Sequence, residues 1–231
     1  MLSPIQLTRT AVLLLLASFT ILLGSCAASK PGVQPSWLPD STGWEIRKVH
    51  AGEPLDWVIY ERDALVADVK EFRIVGVVDA PPKDVVRALR FRLLDDQYIP
   101  EGVQREILTE SKTEIVIYGL MSLPFPLNDR EATERTTFSH DPVTGVFRVD
   151  IREVDPGDEP AGGVLRIPVV RNVFVIAPTG SGKSVVTNDS VHDIGGHFPN
   201  RLIYSPVCDQ LILDLLTLRE LSDSNELHVS E

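Results

Sequence analysis

Cysteine is scarce in this sequence, since Cys26 and Cys208 are the two that its 231 residues contain. After Cys26 the chain has a single thiol, so no disulfide can form within that part. Cys208 lies in an apolar helical pattern, and we expect it to pack in a core rather than to react. The sequence therefore excludes a small domain that depends on disulfides for its stability.

Positive charge is also in short supply. Lysine and arginine number 22 against 33 aspartates and glutamates, which gives a formal net charge of −11 at pH 7. No stripe of basic residues runs along the chain. Because binding to nucleic acid depends on concentrated positive charge, the sequence argues against a nucleic-acid partner.

Patterns that indicate catalysis or metal binding are missing as well. The five histidines are scattered, and the pair His192 and His197 lacks the i, i+4 spacing of a helical metal site. No serine stands in a G-x-S-x-G elbow. The sequence therefore predicts no catalytic residue, no metal site and no cofactor, and hence a protein that is not an enzyme.

The sequence has no apolar run of the length that favours a membrane span. The run at 11–23 is shorter than the roughly 20 residues that a spanning helix needs, and it has the length of a signal-peptide core. It leads into LLGSC, which resembles the signal of bacterial lipoproteins. We therefore predict a signal peptide at 1–25, a lipidated Cys26 and a tether at 26–43 that is rich in Pro, Ser and Gly. An ordinary signal peptide with a chance cysteine is the alternative.

The lipoprotein hypothesis also predicts a location. Ala27 follows the proposed lipidation site, where an aspartate would argue against delivery to the outer membrane. We expect a protein of the bacterial cell envelope that is anchored in the outer membrane, faces the periplasm and does not span the bilayer.

Hydrophobic periodicity predicts one domain at 44–222 and a short tail at 223–231. A strand at 66–78 is followed by a helix at 82–95, because Pro82 suits a first helical turn and apolar residues then recur every three or four positions. About six strand-like runs follow, separated by turn signals, and their short connections make successive strands antiparallel. An amphipathic helix at 199–222 ends the domain. This order predicts an α+β fold.

The segment APTGSGKS at 177–184 looks like a nucleotide-binding P-loop with alanine in place of the first glycine. A P-loop must open a helix, whose N-terminus and backbone N–H groups hold the phosphates. Here the next residues, VVTND, are β-branched or disfavour helix, and they predict another strand. Gly180 and Gly182 also suit a hairpin turn. We therefore predict a hairpin at this position and no nucleotide.

Two segments carry a resemblance to a known family. PFPLNDR at 124–130 and the D-x-G-G-x-x-P pattern at 193–199 are similar to segments of START lipid-transfer domains, and the stretches from Trp44 and Val69 also fit. These domains belong to the helix-grip (SRPBCC) superfamily. The resemblance covers about residues 44–222 and implies an antiparallel sheet curved around the long C-terminal helix. An apolar tunnel between sheet and helix would hold one lipid.

The resemblance also implies where the ligand lies. Gly119 to Asp129 would form a gate, although its apolar residues could instead simply cap the core. Arg130 could contact a lipid head group, or it could serve structural hydrogen bonding, with Glu153 or Asp150 as a possible partner. The residues predicted to contact ligand are Met121, Leu123, Phe125, Leu127, Arg130, Ile203, Val207 and Leu211.

The sequence thus predicts a lipid-anchored domain that binds, and could transfer, a lipid, fatty acid or sterol-like molecule without covalent chemistry. Two alternatives stay open. The superfamily includes polyketide cyclases and aromatases, which polar residues converging in the tunnel would favour. A lipid-responsive sensor or scaffold is the other alternative.

Overall fold

A curved antiparallel sheet and two helices make up the part of the chain that the structure describes. The computed structural model describes residues 42–50, 57–160, 162–196 and 199–223, which fall within one compact unit, Trp37–Glu231. The predicted signal peptide, Cys26, most of the tether and residues 224–231 lie outside the described residues.

Ten strands and two α-helices are present in the described ranges. The strands are β1 (Glu45–His50), β2 (Trp57–Asp63), β3 (Lys70–Val78), β4 (Val103–Glu110), β5 (Glu114–Met121), β6 (Asp129–His140), β7 (Phe147–Glu153), β8 (Val164–Arg166), β9 (Val169–Pro178) and β10 (Ser184–Asp193). The helices are α1 (Pro82–Leu94) and α2 (Tyr204–Asp223), and short 3-10 turns occur at Asp96–Tyr98 and Asn200–Leu202.

The order of strands in the sheet is β1-β2-β3-β10-β9-β7-β6-β5-β4, and every neighbouring pair along this path is antiparallel. The chain enters at one edge, crosses with α1 to the other edge, and returns strand by strand until β10 lies beside β3. The inner face of the curved sheet packs on α2, and the predicted α+β helix-grip architecture is confirmed.

The strand β8 departs from the expected antiparallel pattern. The apolar run at 164–178, one of the strand-like runs of the sequence, is not one continuous strand: it breaks at Ile167 and Pro168, and β8 pairs in parallel with the start of β6. Pro168 has no N–H for a sheet ladder and restricts the residue before it to extended backbone. Ile167 instead donates its N–H to Glu131 O at 2.8 Å.

The strand predicted at 66–78 is shorter than expected. β3 begins at Lys70, and residues 64–69 form a turn that the N–H of Ala64 closes on Val69 O at 2.9 Å. Leu65 and Val66 are exposed in this turn. Alternating apolar residues do not distinguish a strand end from a turn that leaves its apolar side chains in solvent.

Both helices occur close to the predicted positions. α1 starts with Pro82 in its first turn and buries Val85, Ala88 and Leu89. α2 starts five residues later than predicted, because a 3-10 turn precedes it. Its buried residues recur at spacings of three and four, as an amphipathic helix requires; they are Cys208, Leu211, Leu215, Leu218 and Leu221.

The segment that resembles a P-loop is a hairpin turn between β9 and β10, as predicted. Gly180 and Gly182 have φ of 76° and 81°, in the left-handed region that glycine adopts without steric cost. Thr179 donates its N–H to Lys183 O at 3.0 Å across the turn. The residues after Ser184 form β10, not a helix.

Candidate functional site

The inner face of the sheet, which faces α2, carries alternate residues of each strand. One cross-strand row of this face consists of Gly76, Val186, Ile176 and Phe147. Val186 and Ile176 are fully buried in the same core cluster as Leu215 and Leu218 of α2. We call this region the packed end.

Gly76 shows how closely α2 approaches the packed end. A Cβ atom at Gly76 would lie 2.4 Å from Cδ2 of Leu215. Any larger residue at this position would have to displace the Leu215 side chain, which occupies the volume that its Cβ would fill. No ligand fits between sheet and helix at this position.

The opposite end of the inner face is polar, and we call it the polar end. Its residues lie on β10, β9, β7, β6 and β5. Glu134 of β6 is paired directly with Glu153 of β7 and with Ile117 of β5. His192 of β10 is paired with Val170 of β9. Glu134, Glu153, Ile117 and His192 all keep some accessible surface, whereas Val186 and Ile176 at the packed end keep almost none.

Buried polar groups lie between the two ends. Ser190 and Asn188 of β10 and Thr136 of β6 are each about 1% exposed. The Oδ1 atom of Asn188 has no hydrogen-bond partner among the described residues. An unsatisfied buried acceptor costs free energy in the absence of a donor, so this position favours a group that can donate a hydrogen bond.

The electrostatics of the polar end disfavour the ionisation of all its titratable side chains at once. Burial, together with the neighbouring carboxylate of Glu153, raises the pKa of Glu134 from 4.5 to about 7. Glu153 is held by the backbone N–H of Val170, which donates to its Oε2 at 2.9 Å. At neutral pH a substantial fraction of Glu134 is therefore protonated and able to donate a hydrogen bond.

His192 is neutral for a related reason. Burial lowers its pKa from 6.5 to about 4, and its Nε2 lies 2.8 Å from Oγ of Ser190. Glu134 and His192 are three strand spacings apart, which is roughly 14 Å. They therefore do not form an acid–base pair on one reacting atom.

The predicted gate is the loop between β5 and β6. Met121 is the last residue of β5 and lies opposite Arg130, with partial exposure. Leu123 is partly buried, whereas Leu127 is 36% exposed and Phe125 is 94% exposed. Asp129 holds the loop by accepting the N–H of Leu123 at 2.9 Å. The four predicted gate residues thus lie in one segment, but Phe125 projects into solvent.

Arg130 is 2% exposed and makes its hydrogen bonds to backbone carbonyls. Its Nε donates to Ile194 O at 2.8 Å, and its other nitrogens donate to the carbonyls of Asn128, Asp129 and Gly195. The partners considered from sequence, Glu153 and Asp150, are engaged with Val170 and with Arg148 and Arg152. Arg130 thus ties the β5–β6 loop to the segment after β10.

The predicted residues from the C-terminal segment lie along the start of α2. Ile203 precedes the helix and Val207 is in its first turn, both partly exposed, whereas Leu211 is 3% exposed within the core. Between them, Tyr204 contacts Phe72 edge-on at 5.4 Å and accepts the N–H of Lys70 at 3.2 Å. The first turn of α2 is therefore fixed on β3.

The polar end was not found from the sequence. In β10, SVVTNDSVHD, the polar residues Asn188, Ser190 and His192 alternate with Thr187 and Asp189, which are polar as well. Alternation distinguishes two faces only when one of them is apolar. Glu134 lies in the equally polar run DREATERTT, so pattern alone could not assign it to the inner face.

Metal sites and membrane-spanning helices are both absent from the described residues. In the described ranges, no group of three or more His, Cys, Asp or Glu residues could hold a metal ion. Within the same ranges, neither helix combines the length and apolar character that crossing a bilayer requires.

Comparison with known proteins places this geometry in a family. The solved structure of a STAR-related lipid transfer protein from Xanthomonas axonopodis is 25% identical, covers 79% of this chain and 99% of its own, and superposes with a TM-score of 0.63. The chain contains a START-type domain. Human StAR-related lipid transfer protein 5 has the same fold at 18% identity, with a TM-score of 0.61 over 79% of this chain and 88% of its own.

Sequence relatives agree with the structural ones. StAR-related lipid transfer protein 13 is 29% identical over 70% of this chain in mouse and 30% over 69% in human. The START-type chain spans 13% of the length of each of these relatives. No protein-family model matches the chain.

Proposed function

We propose that this START-type domain binds a hydrophobic ligand non-covalently between the polar end of the sheet and the start of α2, and transfers it. The names of its relatives, which are lipid transfer proteins, support a lipid as the ligand class. A fatty acid and a sterol-like molecule are the other hydrophobic ligands that we propose.

The observation that carries the proposal is the contrast in packing along the inner face. Leu215 fills the space at Gly76, whereas Ile117, Glu134 and His192 face the same side of the sheet and keep accessible surface. A ligand that covered these side chains would bury its own methylene groups, each contributing about 0.8 kcal/mol. A few polar groups among apolar walls would fix its orientation.

The chemistry of the polar end favours a ligand that carries a hydroxyl or another neutral polar group. Protonated Glu134 can donate a hydrogen bond, neutral His192 can donate or accept one, and Asn188 Oδ1 can accept one. A charged head group would have to exchange its hydration shell for contacts with these side chains, which are partly neutral. The ligand is therefore proposed to enter with its neutral polar group beside β6 and β10.

A cyclase-like enzyme of the same superfamily is less well supported. Such an enzyme needs acid and base groups that reach one substrate atom. The two perturbed groups, Glu134 and His192, are separated by β7 and β9. Binding without chemistry is the proposal that this separation favours.

Native mass spectrometry of residues 26–231 with Cys26→Ser, purified without detergent and followed by organic extraction, tests the proposal. We expect one lipid per chain. Gly119→Leu should abolish retention, because Gly119 lies on the inner face of β5 and a Cβ there meets only backbone oxygens at 3.9 and 4.0 Å. Val116→Leu on the other face of β5 is the matched control. A folded protein that retains no lipid, or the same lipid in Gly119→Leu, contradicts the proposal.

We also propose that Cys26 is lipidated and anchors the domain in the bacterial outer membrane, facing the periplasm. The support is the LLGSC segment, the short apolar run before it and Ala27 after it. Metabolic labelling with a radioactive fatty acid should mark the full chain and not Cys26→Ser, and the label should fractionate with outer membranes. Release of an unlabelled mature protein into the periplasm would indicate an ordinary signal peptide.

A further inference from the structure

A cavity lies on the outer face of the sheet, which is turned away from α2. Its volume is about 410 Å³, and its floor is formed by outward-facing residues of β3, β10 and β9. Leu65 and Val66, in the turn between β2 and β3, form one rim. This site is separate from the proposed ligand position because the full thickness of the sheet lies between them.

The cavity concentrates positive charge in an acidic protein. Four arginines line it, Arg62, Arg73, Arg148 and Arg171, together with the two carboxylates Glu71 and Asp189. The lining therefore carries a formal excess of two positive charges, whereas the whole chain has a net charge of −11. Such a local excess attracts anions.

The two carboxylates are already engaged. Asp189 accepts two hydrogen bonds from Arg73, at 2.5 and 2.6 Å, and Glu71 accepts one from Arg62 at 2.6 Å. Arg62 and Arg73 also stack on the Trp44 ring, with their guanidinium carbons 4.0 and 4.3 Å from its centroid. These two arginines therefore form a fixed wall of the cavity.

Arg171 is different, because its Nε is buried and has no hydrogen-bond partner among the described residues. It lies beside Val191 of β10 and opposite Arg152 of β7. A buried guanidinium N–H without an acceptor is costly. The Arg171 side chain lines the cavity and can donate hydrogen bonds to a carboxylate or phosphate oxygen there. Arg148, which is 46% exposed and bonded to Asp150 at 3.1 Å, could reach the same anion from the next strand.

The rest of the lining is apolar. Val173, Val175 and Val191 form the floor, and Leu65 and Val66 at the rim are 89% and 54% exposed. Exposed aliphatic side chains beside an excess of positive charge match a molecule with an anionic group and a short alkyl chain. We propose that this outer-face cavity binds a small anionic amphiphile, with its carboxylate or phosphate on Arg171 and Arg148 and its alkyl chain between Val173, Val175 and the Leu65–Val66 turn.

The experiment uses octanoate and octyl phosphate as probes, with methyl NMR of Val173, Val175 and Leu65 as the readout. Saturable shifts at these methyl groups are expected with both probes and not with uncharged octanol. Arg171→Gln should weaken binding at least tenfold, and Arg148→Gln is a second variant in case the first fails to fold. Arg135→Gln, which removes an exposed arginine of the same face outside the cavity, should change affinity less than twofold.

Separate arms distinguish the other outcomes. Gly119→Leu should leave the outer-face shifts unchanged, because they do not depend on the proposed inner site. Acetate should bind far more weakly than octanoate if the alkyl chain contributes. Equal affinity for octanol, shifts confined to residues of the inner face, or binding only to vesicles that contain phosphatidylglycerol would each overturn the proposal.

Discussion

The two ends of the inner face use the same sheet and the same helix for different purposes. At the packed end, Leu215 lies against Gly76 and leaves no space between sheet and α2. At the polar end, Glu134 and His192 face the same way but retain accessible surface and have perturbed pKa values. Stability is therefore concentrated where sheet and helix touch, and the proposed ligand position lies at the end whose inner-face residues keep accessible surface.

Among the substitutions that test this difference between the two ends, the removal of the Leu215 side chain should lower the free energy of unfolding the most. Leu215→Ala deletes a side chain that is 2% exposed and should lower the free energy of unfolding by about 3–5 kcal/mol, measured by urea denaturation. Leu213→Ala is the matched control on the same helix, because Leu213 is 53% exposed and its loss should cost less than about 1 kcal/mol.

A double-mutant cycle sharpens the same prediction. Gly76→Ala alone should destabilise the protein by roughly 1–3 kcal/mol, because its methyl group overlaps Leu215. In the Leu215→Ala background that penalty should largely disappear. Additive effects of the two changes would mean that the helix does not contact Gly76 as the structure describes.

Arg130 should have the next largest effect, and through structure rather than through ligand. Arg130→Gln leaves the buried carbonyl of Ile194 and the partly buried carbonyls of Asn128 and Gly195 without this donor, so unfolding free energy should fall by about 2–4 kcal/mol whether or not lipid is bound. Arg135→Gln, at a half-exposed ion pair on the same strand, should cost less than about 1 kcal/mol. A loss that appears only in the lipid-bound protein would instead make Arg130 a ligand contact.

The polar end should also determine how stability depends on pH. The raised pKa of Glu134 means that the folded state holds a proton that the unfolded state loses, so this group lowers stability as pH rises from about 4.5 to about 7. His192 acts in the opposite direction. Because its folded pKa is lowered, stability rises with pH between about 4 and 6.5.

Single substitutions should separate these two opposing slopes. Glu134→Gln should gain stability over the wild type as pH is raised from 4.5 to 8, by at most about 3 kcal/mol. In His192→Gln, the rise of stability with pH below pH 6.5 should be lost. Glu106→Gln, which changes an exposed glutamate, is the control. Parallel curves for Glu134→Gln and wild type would show that the Glu134 carboxyl is solvated.

The comparison also shows how far the sequence could predict the molecule. The packed end was predictable because the spacing of Leu211, Leu215 and Leu218 and the apolar alternation of β3 reflect single, dominant contacts. The polar end was not predictable, because both faces of β6 and β10 carry polar residues. Which of these side chains are buried depends on which strands become neighbours in the sheet. The break at Pro168 and the turn at Leu65 were missed for a related reason: pairing partners, not local pattern, decide where such strands end.

The smallest effect is expected at the hairpin between β9 and β10. The Nζ of Lys183 forms a surface ion pair with Asp79 at 2.9 Å, so Lys183→Ala should change unfolding free energy by no more than about 0.5–1 kcal/mol. Phosphate binding by a P-loop requires free backbone N–H groups at a helix N-terminus. Here the residues from Ser184 onward form a strand that pairs with β9 on one side and with β3 on the other. Their backbone N–H and C=O groups are therefore engaged in the hydrogen bonds of the sheet. Titration calorimetry with ATP and Mg²⁺ should therefore give the same null result for wild type and Lys183→Ala, whereas wild-type binding that the substitution abolishes would show that the turn holds nucleotide.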